Sequence, residues 1–180
     1  MQKSARPHPA KKPKMNIRRA VESDFPNMWP IFQEVVATES SYVFAADTSR
    51  DDAFAYWFGP AVTTYVAEDG GKIVAMYKLV QNQRDLGGHV SNASFMVHPS
   101  CCGKGIGRLL GIHCLHEAKN AGFLAMQFNF VIATNTAAVA LWQKLGFSIV
   151  GTLPKVFAHK ELGLVDAYVM HRFLDAIPAR

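Results

Sequence analysis

Apolar and polar positions change their spacing several times along this chain, and each change marks an element. MNIRRA at residues 15–20 reads as a short strand, and Ser23 and Asp24 offer helix caps ahead of FPNMWPIFQEVVA. Pro26 falls in the first turn of that helix, where it is tolerated, whereas Pro30 is expected to strain or kink it. Residues 40–50, SSYVFAADTSR, have loop chemistry, and DDAFAYWFGP reads as a short acid-started helix ended by Gly59 and Pro60. From Val62 the period shortens to two. VTTYVAED and KIVAMYKLVQN flank the turn at residues 69–71 and predict a hairpin, and HVSNASFMV predicts a third strand ending at Pro99.

A helical period follows from about Gly103 to Asn120, with Ile106, Leu109, Leu110, Cys114, Leu115 and Ala118 on one stripe and Gly122 closing it. LAMQFNFVI predicts a strand, Asn135 to Leu145 a helix, and FSIVGTL and VDAYVMHRF a final strand pair. The order β α α β β β α β α β β, without internal repeat or linker, predicts one α+β domain on a mixed sheet.

Composition narrows the class. A chain of 180 residues that is 49% hydrophobic and 18% charged buries a real core, which excludes a small disulfide module and a disordered protein. The net charge of +5 is concentrated in residues 1–14, where Lys3, Arg6, Lys11, Lys12 and Lys14 meet no acid. Those residues read as a disordered basic tail and residues 15–175 as the folded domain, and the chain beyond the tail is neutral. A nucleic-acid partner would rest on the tail alone and is not expected. No apolar run reaches the roughly 18 residues of a membrane span, and the N-terminus has no signal-like apolar region, so a soluble, cytoplasmic protein without a membrane partner is expected. Cys101, Cys102 and Cys114 are odd in number and lack C-x-x-C spacing, which fits reduced thiols.

The segment VHPSCCGKGIGRLLG carries the chemistry. Gly103, Gly105 and Gly107 alternate across a helix start, so main-chain N–H groups can face a phosphate with no Cβ in the way, and Lys104 and Arg108 would reinforce the attraction. The alternative is a tight turn and nothing more. A P-loop would need Gly where His98 stands, and a dinucleotide fingerprint would need Gly where Arg108 or Leu110 stands, so neither motif is present.

Cys102-Gly103-Lys104-Gly105-Ile106-Gly107, with Val97 and Pro99 upstream, resembles the pyrophosphate loop Q/R-x-x-G-x-G/A of the GNAT superfamily of N-acetyltransferases. Asn135, AAVALW and QKLGF resemble its second signature. The resemblance covers about residues 15–173, and it implies the GNAT acyl-CoA N-acyltransferase fold, a mixed, mostly antiparallel sheet flanked by helices. HVSNASFMV, FNFV and the Thr134-Asn135 pair resemble the branch containing the fungal acetyltransferase of proline analogues such as azetidine-2-carboxylate. The resemblance implies acetyl-CoA as co-substrate and no metal. Its pyrophosphate would be held by the N–H groups of Gly103, Gly105, Gly107 and Arg108, beside Lys104, and its pantetheine arm by the backbone of Met96 and Val97. Asn135 would also contact it. Asn92 and Asn129 would stand at the reacting end, with Phe130 adding a main-chain contact to the acceptor.

Independently, Asn is depleted in strands and a buried unpaired amide costs about 1–3 kcal/mol, so Asn92 and Asn129 need partners, either a ligand or a structural bridge. Tyr42, Phe44, Tyr56 and Trp57 are core or acceptor-pocket wall. Two departures from the family pattern stand out. Cys102 replaces Gln or Arg, and Trp142 replaces the Tyr that protonates the leaving thiolate in many members. His98 could be a base or a loop residue, an acyl-cysteine at Cys101 or Cys102 lacks a readable partner, and His113, His116 and Glu117 read as a solvated helix face. The expected activity is acetyl transfer to a small amine or imino acid by direct attack. The alternatives are a different acceptor, such as a protein amine, a polyamine or an amino-acid-like toxin, and a non-catalytic acyl-CoA-binding regulator. A homodimer is compatible with such a domain.

Overall fold

The computed structural model describes residues 15–177, so the expected basic tail at residues 1–14 lies outside the described residues. The elements are β1 (Asn16–Arg19), α1 (Phe25–Val36), α2 (Arg50–Phe58), β2 (Thr63–Asp69), β3 (Lys72–Gln81), β4 (Val90–Val97), α3 (Ile106–Asn120), β5 (Ala125–Ile132), α4 (Thr136–Lys144), β6 (Ser148–His159) and β7 (Gly163–Phe173). Their order is the one the hydrophobic pattern predicts.

All seven strands form one sheet in the order β1-β2-β3-β4-β5-β7-β6. Every neighbouring pair is antiparallel except β4 and β5, which run parallel. Period-two alternation divides the sheet between two cores. On one face Ala75, Tyr77, Ala93, Met126 and Phe128 pack with Leu110, Cys114 and Trp142 of α3 and α4. On the other, Val66, Met76 and Met96 pack with Met28, Phe32 and Trp57 of α1 and α2.

Several local expectations are corrected. Asp24 is the N-terminal flanking residue of α1 but gives that helix no side-chain cap. Its carboxylate instead takes Arg18 Nη1 and Nη2 at 2.7 and 2.8 Å and the Val21 N–H at 2.9 Å, tying β1 to the 3-10 turn Glu22–Asp24 that follows it. Helix α3 starts at Ile106, not Gly103, because Gly103 and Gly105 hold φ of +76° and +81°. Leu109 lies off the buried stripe, 44% exposed, and Gly111 takes the packed position where α3 crosses α4. Strand β6 runs six residues beyond Leu153, through an irregularity where Lys155 has φ +53° and donates its N–H to Asp166 Oδ1 at 2.9 Å. Pro154 has no N–H to give the ladder, which is why the sequence pattern breaks there.

Candidate active site

The parallel seam between β4 and β5 closes over two residue pairs, Val90 with Ala125 and Ser91 with Met126, and then opens. From Asn92 to Val97, β4 stays paired with β3 on its outer side but has no β5 partner. Strand β5 turns away through a bulge, in which Asn129 and Phe130 lie between the pairs Phe128–Met170 and Val131–Tyr168. A bulge of this kind bends its strand and releases main-chain groups from the ladder. The opening is the wall of a cavity of about 710 Å³.

At one end of the cavity, Pro99 and Cys102 lead into the glycine turn. An added Cβ at Gly103 or Gly105 would meet nothing within 4 Å, so their left-handed backbone borders open space. At the start of the α3 ladder the Leu109 N–H donates to Gly105 O at 3.2 Å. The N–H groups of Ile106, Gly107 and Arg108 precede it and have no acceptor within the helix. Lys104 and Arg108 are exposed beside them. This cradle fits an anionic pyrophosphate. Gly107 departs from the expectation that its side of the turn faces the ligand, since a Cβ there would lie 3.3 Å from Leu141 Cδ2 of α4. Asn135 lines the cavity and caps α4, with Oδ1 accepting the Ala138 N–H at 3.2 Å.

The other end is built from side chains. Tyr42 donates its hydroxyl to Phe95 O at 2.6 Å, and Tyr56 donates to Ser94 Oγ at 2.6 Å. Burial pushes both phenols above their ordinary range, so they remain protonated donors. Lys78 on β3 donates to Tyr56 O at 3.1 Å, with Nζ 3.1 Å from the centroid of the Tyr56 ring, and burial lowers its pKa to about 8. Asn92 and Asn129 both line the cavity. Asn92 is half-buried, with Oδ1 accepting the Ala93 N–H at 2.8 Å. Asn129 is exposed by the bulge, contrary to the expectation of two buried amides, and is held by Gln127 at 2.8 Å and Asn82 at 2.7 Å. Phe130 lines the cavity beside it.

Phe44 sits behind this wall in the aromatic core, its ring edge-on to Tyr56 at 4.8 Å. Trp142 lines the cavity and packs 4.8 Å from the rings of both Phe95 and Phe128. His98 accepts from Ser100 and lies 3.5 Å from Glu34. His113 and Glu117 turn inward rather than to solvent, bonding Tyr77 and Tyr65 at 2.7 Å each. Sequence reading missed Ser94, Gln127, Asn82 and His159, of which Ser94 and His159 line the cavity.

An open parallel seam followed by a glycine turn at a helix start defines the class of acetyl-CoA-dependent N-acetyltransferases. The Acetyltransferase (GNAT) family model matches residues 25–147, and the chain belongs to that family. It is 39% identical over 84 residues to the N-acetyltransferase aca1 of Schizosaccharomyces pombe, a match covering 45% of this chain and 39% of that protein. It is 28% identical over 147 residues to the L-amino acid N-acyltransferase MnaT of Escherichia coli, covering 79% of this chain and 84% of that one. A GCN5-related N-acetyltransferase from Kribbella flavida superposes with a TM-score of 0.84 at 38% identity, covering 88% of this chain and 97% of that chain.

Proposed function

We propose that residues 15–175 form a domain that transfers an acetyl group from acetyl-CoA to the nitrogen of a small amino- or imino-acid-like acceptor by direct attack. The observation that carries this reading is the seam opening between Asn92 and Asn129 into a cavity whose lining reaches Pro99 and Cys102, next to the glycine turn. Similarity to an L-amino acid N-acyltransferase supports the acceptor class. Acetyl-CoA, when bound, supplies an acyl carbon activated as a thioester. The N–H groups of Gly103, Gly105, Gly107 and Arg108 hold its pyrophosphate, and the Met96 and Val97 backbone and Asn135 hold the arm. Asn92 and Asn129 orient the acceptor and donate to the oxygen on which charge develops. Tyr42 walls the acceptor end. Three unpaired thiols support a reducing, cytoplasmic setting.

The test is an acceptor screen that follows acetyl-CoA-dependent thiol release across L-amino acids, azetidine-2-carboxylate, polyamines and a lysine peptide. Turnover confined to the amino and imino acids is expected. Preference for the polyamine or peptide overturns the acceptor class, and tight acetyl-CoA binding without turnover of any acceptor makes the protein a regulator.

A further inference from the structure

His159 ends β6 and pairs with Gly163 across the β6–β7 hairpin. Its Nδ1 accepts the N–H groups of Glu161 and Leu162, at 3.1 and 3.4 Å. An imidazole nitrogen that accepts carries no proton, so the neutral ring has its hydrogen on Nε2. His159 therefore presents a donor, and not a base, at its remaining polar atom, and it lines the cavity. The hairpin that carries it is fastened across the acceptor end. The Lys160 N–H donates to Glu39 O at 3.2 Å, and Lys160 Nζ lies 3.6 Å from the Glu39 carboxylate, beside the loop that brings Ser40, Ser41 and Tyr42 to the same cavity.

Among the described residues, the cavity lining contains no Asp, Glu, Lys or Arg, so its side-chain polarity comes from hydroxyls, amides, one thiol, the Trp142 indole and this one imidazole. A carboxylate entering such a site loses its water and needs N–H or O–H donors in exchange. The hydroxyls of Tyr42 and Tyr56 are already committed to Phe95 O and Ser94 Oγ.

We propose that His159 Nε2–H is the donor that receives the acceptor's free carboxylate, which makes His159 the residue selecting α-amino and imino acids over their amides and over simple amines. This rests on the amino-acid reading above and specifies it further. His159 positions the acceptor and takes no part in the chemical step.

The test compares azetidine-2-carboxylate with azetidine-2-carboxamide in the full-length chain, wild type, His159→Asn and His159→Gln. Asn keeps an oxygen for the turn N–H groups but has nothing at the Nε2 position, whereas Gln carries a donor out to it. In His159→Asn the KM for the acid is expected to rise about 10- to 100-fold, the size of one lost hydrogen bond to a charged group. The KM for the carboxamide, the KM for acetyl-CoA and kcat are expected to stay within about threefold, and His159→Gln to recover most of the loss for the acid. An equal rise for acid and carboxamide, no rise, or a loss confined to kcat overturns the proposal. So does a wild type that accepts the carboxamide as readily as the acid, a measurement that needs no variant. If the wild type turns over amino acids without this discrimination, the carboxylate seat alone is wrong. If it turns over none, the amino-acid reading falls and takes the seat with it.

Discussion

The turn next to the cavity at the start of α3 offers main chain, whereas the cavity beneath the α1–α2 loop is made of side chains from five separate stretches. At the first, Gly103 and Gly105 hold left-handed backbone against open space, and the start of α3 presents its unpaired N–H groups. At the second, Tyr42, Tyr56, Asn92, Asn129 and His159 converge from a loop, a helix, two strands and a hairpin. A cradle of N–H groups is indifferent to most side chains around it, so Cys102 can stand where relatives carry Gln or Arg without removing a donor. A pocket of side chains changes its selectivity with each substitution. On the function proposed above, the main-chain side would hold a donor common to the family, and the side-chain side would choose the acceptor.

The largest effect is expected at the side-chain end. Asn92→Ala and Asn129→Ala should each lower turnover of an imino-acid acceptor by about 10²–10³, the usual loss of one transition-state donor, with acetyl-CoA affinity unchanged in titration calorimetry. If either instead lowers the melting temperature while turnover per folded molecule is preserved, that amide belongs to the structure, and the division between the two ends breaks.

Gly105→Val probes the main-chain end. A branched side chain at φ +81° is strained by about 1–2 kcal/mol and projects into the open cradle, so acetyl-CoA affinity should fall about 10- to 100-fold. An unchanged dissociation constant, with the variant shown to be folded, removes the pyrophosphate from this turn.

Gly111→Ala sharpens the contrast by using the same residue type six positions along the chain. An added Cβ would approach Leu145 Cδ1 to 2.5 Å and Trp142 to 3.2 Å, so the cost should be about 1–3 kcal/mol of overpacking in chemical denaturation with acetyl-CoA affinity unaltered. Lost affinity without lost stability would mean that the junction of α3 and α4 belongs to the site.

The smallest effect lies outside both ends. Arg18 holds the Asp24 carboxyl below its ordinary range, so Asp24 contributes stability above the unfolded value near pH 4 and loses it as pH falls through the lower folded one. Asp24→Asn should cost about 1 kcal/mol at pH 7, with the gap to wild type closing in acid and turnover per folded molecule unchanged. A gap that widens in acid contradicts this sign.

The same contrast explains what the sequence makes legible. The order of elements follows from hydrophobic period, because the period shortens towards two in strands such as β2 and β4 and each long helix has its own apolar stripe. The glycine turn is readable because its geometry is written in consecutive residues. Gly107 could not be told from Gly103 and Gly105, since glycine permits unusual backbone and close packing alike, and only the position of Leu141 shows which reason applies. Asn92 and Asn129 stand out as amides in apolar strands, but the bulge that exposes Asn129 depends on pairing with β7, forty residues further on. His159 had no local signal at all. A lone histidine beside a turn acquires meaning only when the folded hairpin brings it to the cavity that β4 and β5 open.

The opened seam also bears on solubility. A strand edge with unspent hydrogen-bonding capacity invites pairing with a foreign chain, and sheets carry that hazard at their margins. Here the outer margins are poor templates. β1 is four residues long and carries Arg18 and Arg19, and β6 is interrupted by Pro154 and Lys155. The receptive edges of β4 and β5 are interior ones, β4 backed along its length by β3 and β5 backed by β7 on either side of its bulge. The molecule keeps a strand edge ready for recognition while denying it to aggregation.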